Sequence, residues 1–232
     1  MTLHTDRDYE NELNEVRRDL RVMGERVLAM LDDTLQALLE RNAPELRRID
    51  AMDDEIDQTE VHIDELCIRI LARRQPVATD LRFITMTLKA VTDLERMADH
   101  CASICRRGCE LLAEPPLPGG PDLAAMAATA RSMVRDAVNA LLGGSEEAAR
   151  AVIARDRGVD DEYARVFGEL MAAMRRDPSY ITRAFKLQSI AKHLERLADH
   201  ATNLAELAVF LAKATDIRHR HPTSGSGDPL HS

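Results

Sequence analysis

The stretch DLERMADHCASI, beginning at Asp93, returns as HLERLADHATNL, beginning at His193, with matching letters 100 positions apart. A near-repeat at that period in a chain of 232 residues predicts two similar halves packed together, with enough chain for a sizeable core. Both copies have apolar residues three and four apart, the spacing of one helix face, and no stretch of sustained alternation occurs elsewhere. With 45% hydrophobic residues but no Trp, three Tyr and four Phe, the apolar material is mostly Leu, Ala, Val, Ile and Met, which suits helical bundles.

The period predicts six helices. The first runs from about Asp6 to Arg41 on Leu13, Val16, Leu20, Met23, Val27, Met30, Thr34 and Leu38, and the NAP turn at Asn42 to Pro44 ends it. The second continues to about Arg73, where RRQPVATD stops it and offers Thr79 or Asp80 as the next cap. The third reaches Ala113, and EPPLPGGP, from Glu114 to Pro121, marks the boundary between halves. The plan then repeats: a helix to Leu142, a GGS turn at Gly143 to Ser145, a helix to Arg176, and DPS at Asp177 to Ser179 opening the last. The expected fold is therefore all-α, two tandem three-helix bundles related by duplication, over residues 1–114 and 121–216. The tail, 217–232, has no apolar period and is expected to be disordered, with His219, His221 and His231 solvated.

Residues four apart share a helix face, so Glu95 points with Asp99, and Glu195 with Asp199. Like charges at that spacing repel. Ile84, Leu88, Val91, Ala98 and Ala102 all fall within about 60° of Glu95 around the helix, which puts the pair at the rim of the apolar arc, partly desolvated. The second helix adds an acidic stripe at Asp53, Asp57, Glu60 and Asp64; the fifth echoes it with Asp156 and Asp160, after which Tyr163 and Phe167 replace the later acids. If neighbouring helices face each other, four carboxylates converge in each half and need positive compensation. Arg96 and Arg196 stand beside the glutamates, but adjacent residues point about 100° apart, so both are expected to aim elsewhere. One such pair reads as a solvated, salt-bridged face. Four pairs in a repeated arrangement favour cation sites, and all-oxygen ligation suits hard ions such as Mg, Mn, Ca or ferric iron. His100 and His200 lie five residues after each Glu, about 140° around the helix, and are expected to contact solvent or a neighbouring helix instead of the ion.

A net charge of −9, with Arg interspersed among acids, argues against nucleic acid. Because few basic residues gather in one place, phosphate itself is not expected to bind here. Cys101, Cys105 and Cys109 recur every fourth residue within the apolar arc and, with Cys67, read as reduced, core-packed thiols in a cytoplasmic setting. The opening residues carry no signal-peptide pattern, and no long uncharged apolar run occurs. No nucleophile-and-base arrangement, glycine-rich phosphate loop or Cys-x-x-Cys is present, so a non-enzyme is expected.

The segment CIRILARRQPVATDLRFI, Cys67 to Ile84, followed by LERMADHCASICR and later LERLADHATNLAE, closely resembles the PhoU family of phosphate-specific transport system accessory proteins, from about residue 10 to 215. The resemblance implies a cytoplasmic, usually dimeric protein that acts with the membrane phosphate ABC transporter and a sensor histidine kinase, repressing the phosphate-starvation response and limiting uptake. It also implies multinuclear metal clusters on E(D)-x-x-x-D motifs, with Mg, Mn, Fe or Zn as the ion. Those motifs fall here at Asp53 and Asp57, Glu95 and Asp99, Asp156 and Asp160, and Glu195 and Asp199. The Asn that commonly follows the second motif is Asn203, but its first-half counterpart is Ser103, which implies a weaker or differently populated first-half site. A carboxylate-bridged metal phosphohydrolase and a purely structural helical dimer are the alternatives.

Overall fold

The computed structural model describes the backbone of residues 2–219 and the side chains of 7–213. The order is α1 (Thr2–Leu39), α2 (Ala43–Asp50), α3 (Asp53–Arg74), α4 (Ala78–Leu112), α5 (Ala124–Gly143), α6 (Glu146–Ile153), α7 (Asp156–Arg176), a 3₁₀ turn (Pro178–Tyr180) and α8 (Ile181–His219). The six expected rods are present, but the second and fifth are each stepped into a short and a long helix. Helix α8 continues to His219, three residues into the segment expected as tail; the rest of that tail, with His221 and His231, lies outside the described residues.

Side-chain caps start both short helices: Asn42 Oδ1 accepts from the Glu45 amide at 3.2 Å, and Ser145 Oγ accepts from the Ala148 amide at 3.2 Å. Each then buries one small apolar face, Leu46 and Ile49 on α2, Ala149 and Val152 on α6. The steps fall at Ala51–Met52 and Ala154–Arg155, immediately before acidic residues. A new helix start there puts Asp53, Asp54 and Glu55 in the first turn of α3 and Asp156 in that of α7, where unpaired amides and the positive end of the helix dipole favour negative charge. Apolar periodicity does not register such a step, because Ile49 and Ile56 stay seven residues apart across it. As a result Asp53 and Asp156 become the first residues of equivalent helices.

The RRQPVATD turn passes through Gln75 at φ 47° and Ala78 at φ 42°, both left-handed. Neither Thr79 nor Asp80 caps α4, which begins at Ala78 without a side-chain cap; Asp80 instead accepts from the Tyr9 hydroxyl at 3.0 Å, tying α4 back to α1. Gly144, at φ 67°, closes α5 in the left-handed conformation that only glycine adopts without strain. Asp177 accepts from the Ser179 amide at 2.9 Å and starts the 3₁₀ turn before α8.

Helices α1, α2 and α3 pack against α4, and α5, α6 and α7 pack against α8. The two long central helices then pack on each other, so one contiguous core runs through both halves. Helices α1 and α5 also meet: a Cβ on Gly24 would come within 2.9 Å of Val138 Cγ1, and Asp32 on α1 accepts from Arg131 at 2.5 Å and Arg135 at 3.0 Å on α5. Those two guanidiniums, Arg131 first, hold the Asp32 carboxyl below its usual range. The linker is fastened as well, with Leu117 tucked into the core and Glu114 paired to Lys186 at 2.5 Å. Cys67, Cys101 and Cys105 are buried and unbridged, Cys105 Sγ lying 3.5 Å from Thr34 Oγ1. Burial pushes the Cys67 thiol up to about 12 and Cys105 to about 11, so these are core thiols and not thiolate ligands.

Candidate metal centres

Each half brings an Asp-x-x-x-Asp helix against a Glu-x-x-x-Asp helix. In the first half, Asp53 and Asp57 from α3 face Glu95 and Asp99 from α4. Burial raises the Asp53 carboxyl to about 6, helped by the charges of Asp99 and then Asp57. Burial likewise takes Glu95 to about 7, with Asp99, Glu60 and Asp57 adding repulsion. The Glu95 side chain is 14% exposed, which fits a residue at the rim of the apolar arc. Two carboxylate oxygens of α3, Asp53 Oδ1 and Asp64 Oδ1, are buried with no hydrogen-bond partner. Buried acceptors left without donors are the condition that a bound cation relieves.

In the second half, oxygens from Asp160 on α7 and from Glu195 and Asp199 on α8 all lie within 4.8 Å of one another. Burial first, and then the neighbouring acids, raise the carboxyls of Asp160 and Asp199. Asp156 adds to that repulsion while accepting from Thr202 Oγ1 at 3.0 Å. The only other such trio among the described residues is Glu15, Asp19 and His62, which the sequence reading did not single out. His62 is 55% exposed there and sits 3.4 Å from an Asp19 that already pairs with Arg18.

The compensating cations differ between the halves. Arg96 does not aim away from the acids: its guanidinium reaches Asp99 at 3.0 Å and Glu95 at 3.4 Å, because a long stem can fold back along its own helix. In the second half that task falls to Lys192, 2.6 Å from Glu195. Tyr163 stands where the first half has Glu60; it accepts from Gln188 at 2.8 Å, and the Lys192 ammonium lies 5.2 Å from its ring centre. Ser103 and Asn203 serve neither acid cluster. Ser103 Oγ accepts from Arg106 at 3.1 Å, and Asn203 Nδ2 reaches across to Asp93 at 3.4 Å. The expected effect of Ser103 on the first-half site therefore has no direct contact to carry it, only Arg106, whose charge acts on Asp53.

The histidines contact helices, as expected. His100 and His193 meet Nδ1 to Nδ1 at 3.4 Å, and the rings of His193 and His200 each lie 5.3 Å from that of His100. His200 Nδ1 is 2.9 Å from Asp93 Oδ1 on the other half. Burial holds the His100 imidazole down at about 4, so it stays neutral. The expectation that basic residues do not gather is corrected: packing α4 on α8 brings Arg96, Arg106 and Arg196 around one cleft, a convergence no local window of sequence contains.

A family model described as the PhoU domain matches the chain twice, over residues 20–108 and 123–208. The chain is 38% identical over 220 residues to a "Phosphate-specific transport system accessory protein PhoU homolog" of Pseudomonas putida, covering 94% of this chain and 86% of that one. It is 29% identical to the "Phosphate-specific transport system accessory protein PhoU" of Escherichia coli (strain K12), covering 93% of this chain and 90% of that one. Among solved structures it resembles the crystal structure of PhoU from Pseudomonas aeruginosa, with a TM-score of 0.85, 36% identity, and coverage of 88% of this chain and 99% of that one. A phosphate transport system regulatory protein PhoU from Streptococcus pneumoniae matches with a TM-score of 0.78 at 27% identity, covering 88% and 96%.

Proposed function

The chain belongs to the PhoU family, and on that premise we propose that it is a regulatory adaptor of a phosphate-specific ABC transporter and its sensor histidine kinase, restraining phosphate uptake and the starvation response. The observation that carries the reading is the whole-length match to proteins named as accessory to phosphate transport, both halves included. The relatives are named accessory proteins rather than enzymes, and a non-catalytic role is proposed here too. No described helix is long and apolar enough to cross a membrane, which suits a partner recruited at the cytoplasmic face of the transporter. A homodimer is part of the same proposal.

Metal ions belong to this reading as structural elements. Asp53, Asp57, Glu95 and Asp99 would hold one group and Asp156, Asp160, Glu195 and Asp199 the other. The fit rests on the buried Asp53 Oδ1 without a donor in the first half and on three oxygens already gathered in the second. An ion would supply charge neutralisation, clamping α3 to α4 and α7 to α8. All-oxygen sites suit Mg, Mn or ferric iron better than Zn, which takes nitrogen and sulfur more readily.

The test combines a chromosomal deletion carrying a starvation-promoter reporter with affinity capture of the transporter's nucleotide-binding subunit. The proposal expects the deletion to derepress the reporter in phosphate-replete medium, wild type to restore repression, and wild type to capture the subunit. Unchanged reporter output on deletion would sink it. Elemental analysis before and after chelation, on wild type and on Glu95→Gln/Glu195→Gln, checks the metal. Hydrolysis of a generic phosphoester by the metal-loaded protein would instead favour an enzyme.

A further inference from the structure

The seam between α4 and α8 holds a cleft of about 630 Å³ that abuts both acid clusters, through Asp99 and Asp199, and adds basic and imidazole groups that neither cluster has. Its walls are the two copies of one motif facing each other, Arg96 with Arg196, Asp99 with Asp199, His100 with His200 and Ser103 with Asn203. The copies are not used alike. Arg96 is neutralised by Asp99 and Glu95, and Arg106, also on the wall, is held by Asp50 at 2.7 Å. His200 and Asn203 are both spent on Asp93. Asp199, the one wall carboxylate without an ion pair, is drawn into the trio with Asp160 and Glu195.

Two groups remain. Arg196 makes no hydrogen bond or ion pair with any described residue, leaving five N–H donors at the cleft. His100 lines the same cleft, is nine-tenths buried, and has an Nε2 without a partner. When His193 donates to His100 at Nδ1, the neutral His100 ring carries its own proton on Nε2, a donor with no acceptor. A concave site with a spare guanidinium, beside a buried imidazole nitrogen that has no partner, suits an anionic ligand rich in acceptors.

We propose that the α4–α8 cleft is a binding site for a small tetrahedral oxyanion, gripped by Arg196 beside the His100–His193 pair. The site rests on the cleft's own residues; the choice of inorganic phosphate as its ion rests on the proposed role in phosphate transport. Phosphate bound there would bridge the two halves, since Arg196 and His193 lie on α8 and His100 on α4.

Calorimetric titration of the chelated full chain with sodium phosphate, at ionic strength matched with sodium chloride, tests the site. Saturable binding is expected, weakened about ten-fold or more in Arg196→Met, partly recovered in Arg196→Lys, and retained in Glu95→Gln/Glu195→Gln. Sulfate binding alongside phosphate would uphold an oxyanion site. No saturable binding to wild type would overturn it, as would binding that Arg196→Met leaves intact, or binding that appears only in metal-loaded protein and is lost with the carboxylates. Capture of the transporter subunit by the same variants in phosphate-free buffer keeps the two proposals apart: an Arg196→Met protein that still captures its partner but binds no phosphate removes nothing from the adaptor reading.

Discussion

The acid cluster of the first half and that of the second occupy equivalent positions, yet they hold their charge in different ways. Asp53 and Glu95 are the more strongly perturbed, reaching about 6 and about 7, and the acidic stripe runs on along α3 to Glu60, which adds repulsion on Glu95, and Asp64. Asp160, Glu195 and Asp199 are drawn tighter, with Tyr163 and Phe167 in place of the extra acids and a lysine on the glutamate. Duplication preserved where the carboxylates sit and left their neutralisation free to diverge. The second cluster has three oxygens gathered within 4.8 Å of one another; the first carries the larger electrostatic penalty.

The sharpest way to break this comparison is to remove one cluster at a time. Glu195→Gln/Asp199→Asn is expected to weaken the tighter phase of a manganese titration by at least about 100-fold, because loss of partners outside the ligand shell alone costs 10–100-fold. Glu95→Gln/Asp99→Asn should remove only the weaker phase, and equal effects from both variants would erase the proposed difference.

Next in size is the cation on each cluster. Lys192→Met is expected to tighten manganese binding in the second half about ten-fold, since a competing charge 2.6 Å from Glu195 is gone. Arg96→Met should gain only about two- to three-fold in the first, because its guanidinium is 54% exposed and screened by water.

A third contrast is in pH. Carboxyls that titrate at about 6 and about 7 in the fold but near 4 when unfolded bind protons only in the folded state across that window. They therefore cost stability as pH rises through it, with the full penalty above pH 7. Metal-free Asp53→Asn/Glu95→Gln is expected to exceed wild type by about 1–2 kcal/mol at pH 8, after discounting for partial exposure, with the gap closing near pH 4. The neutral His100, at about 4, works in the opposite direction but is common to both proteins and cancels. Urea unfolding at several pH values measures the gap, and Asp160→Asn/Asp199→Asn should show a smaller one. The smallest effect belongs to Ser103→Asn, which should leave first-half metal occupancy within about two-fold of wild type, as expected for a side chain that touches no ligand.

The six rods, the NAP, GGS and DPS turns and the shared helix faces of the acidic pairs are legible in the sequence because each depends on local spacing; the start of α4 is not, since neither Thr79 nor Asp80 caps it. The steps before Asp53 and Asp156 were not, since they leave the apolar period unbroken and come from acidic residues favouring a fresh helix end. Arg96 was misjudged because the wheel fixes where a Cβ points and not where a long guanidinium stem can reach. The cleft was out of reach for a different reason: His100 joins Arg196 and His193 only when α4 lies against α8.

That seam has an evolutionary consequence. With one core shared across α4 and α8 and polar ties crossing at Asp93, Asp32 and Glu114, neither copy of the duplicated unit forms a complete interior alone. A deletion or exchange of either half would strip the other of a wall, so the two copies can drift in their surface chemistry only while travelling as one heritable piece.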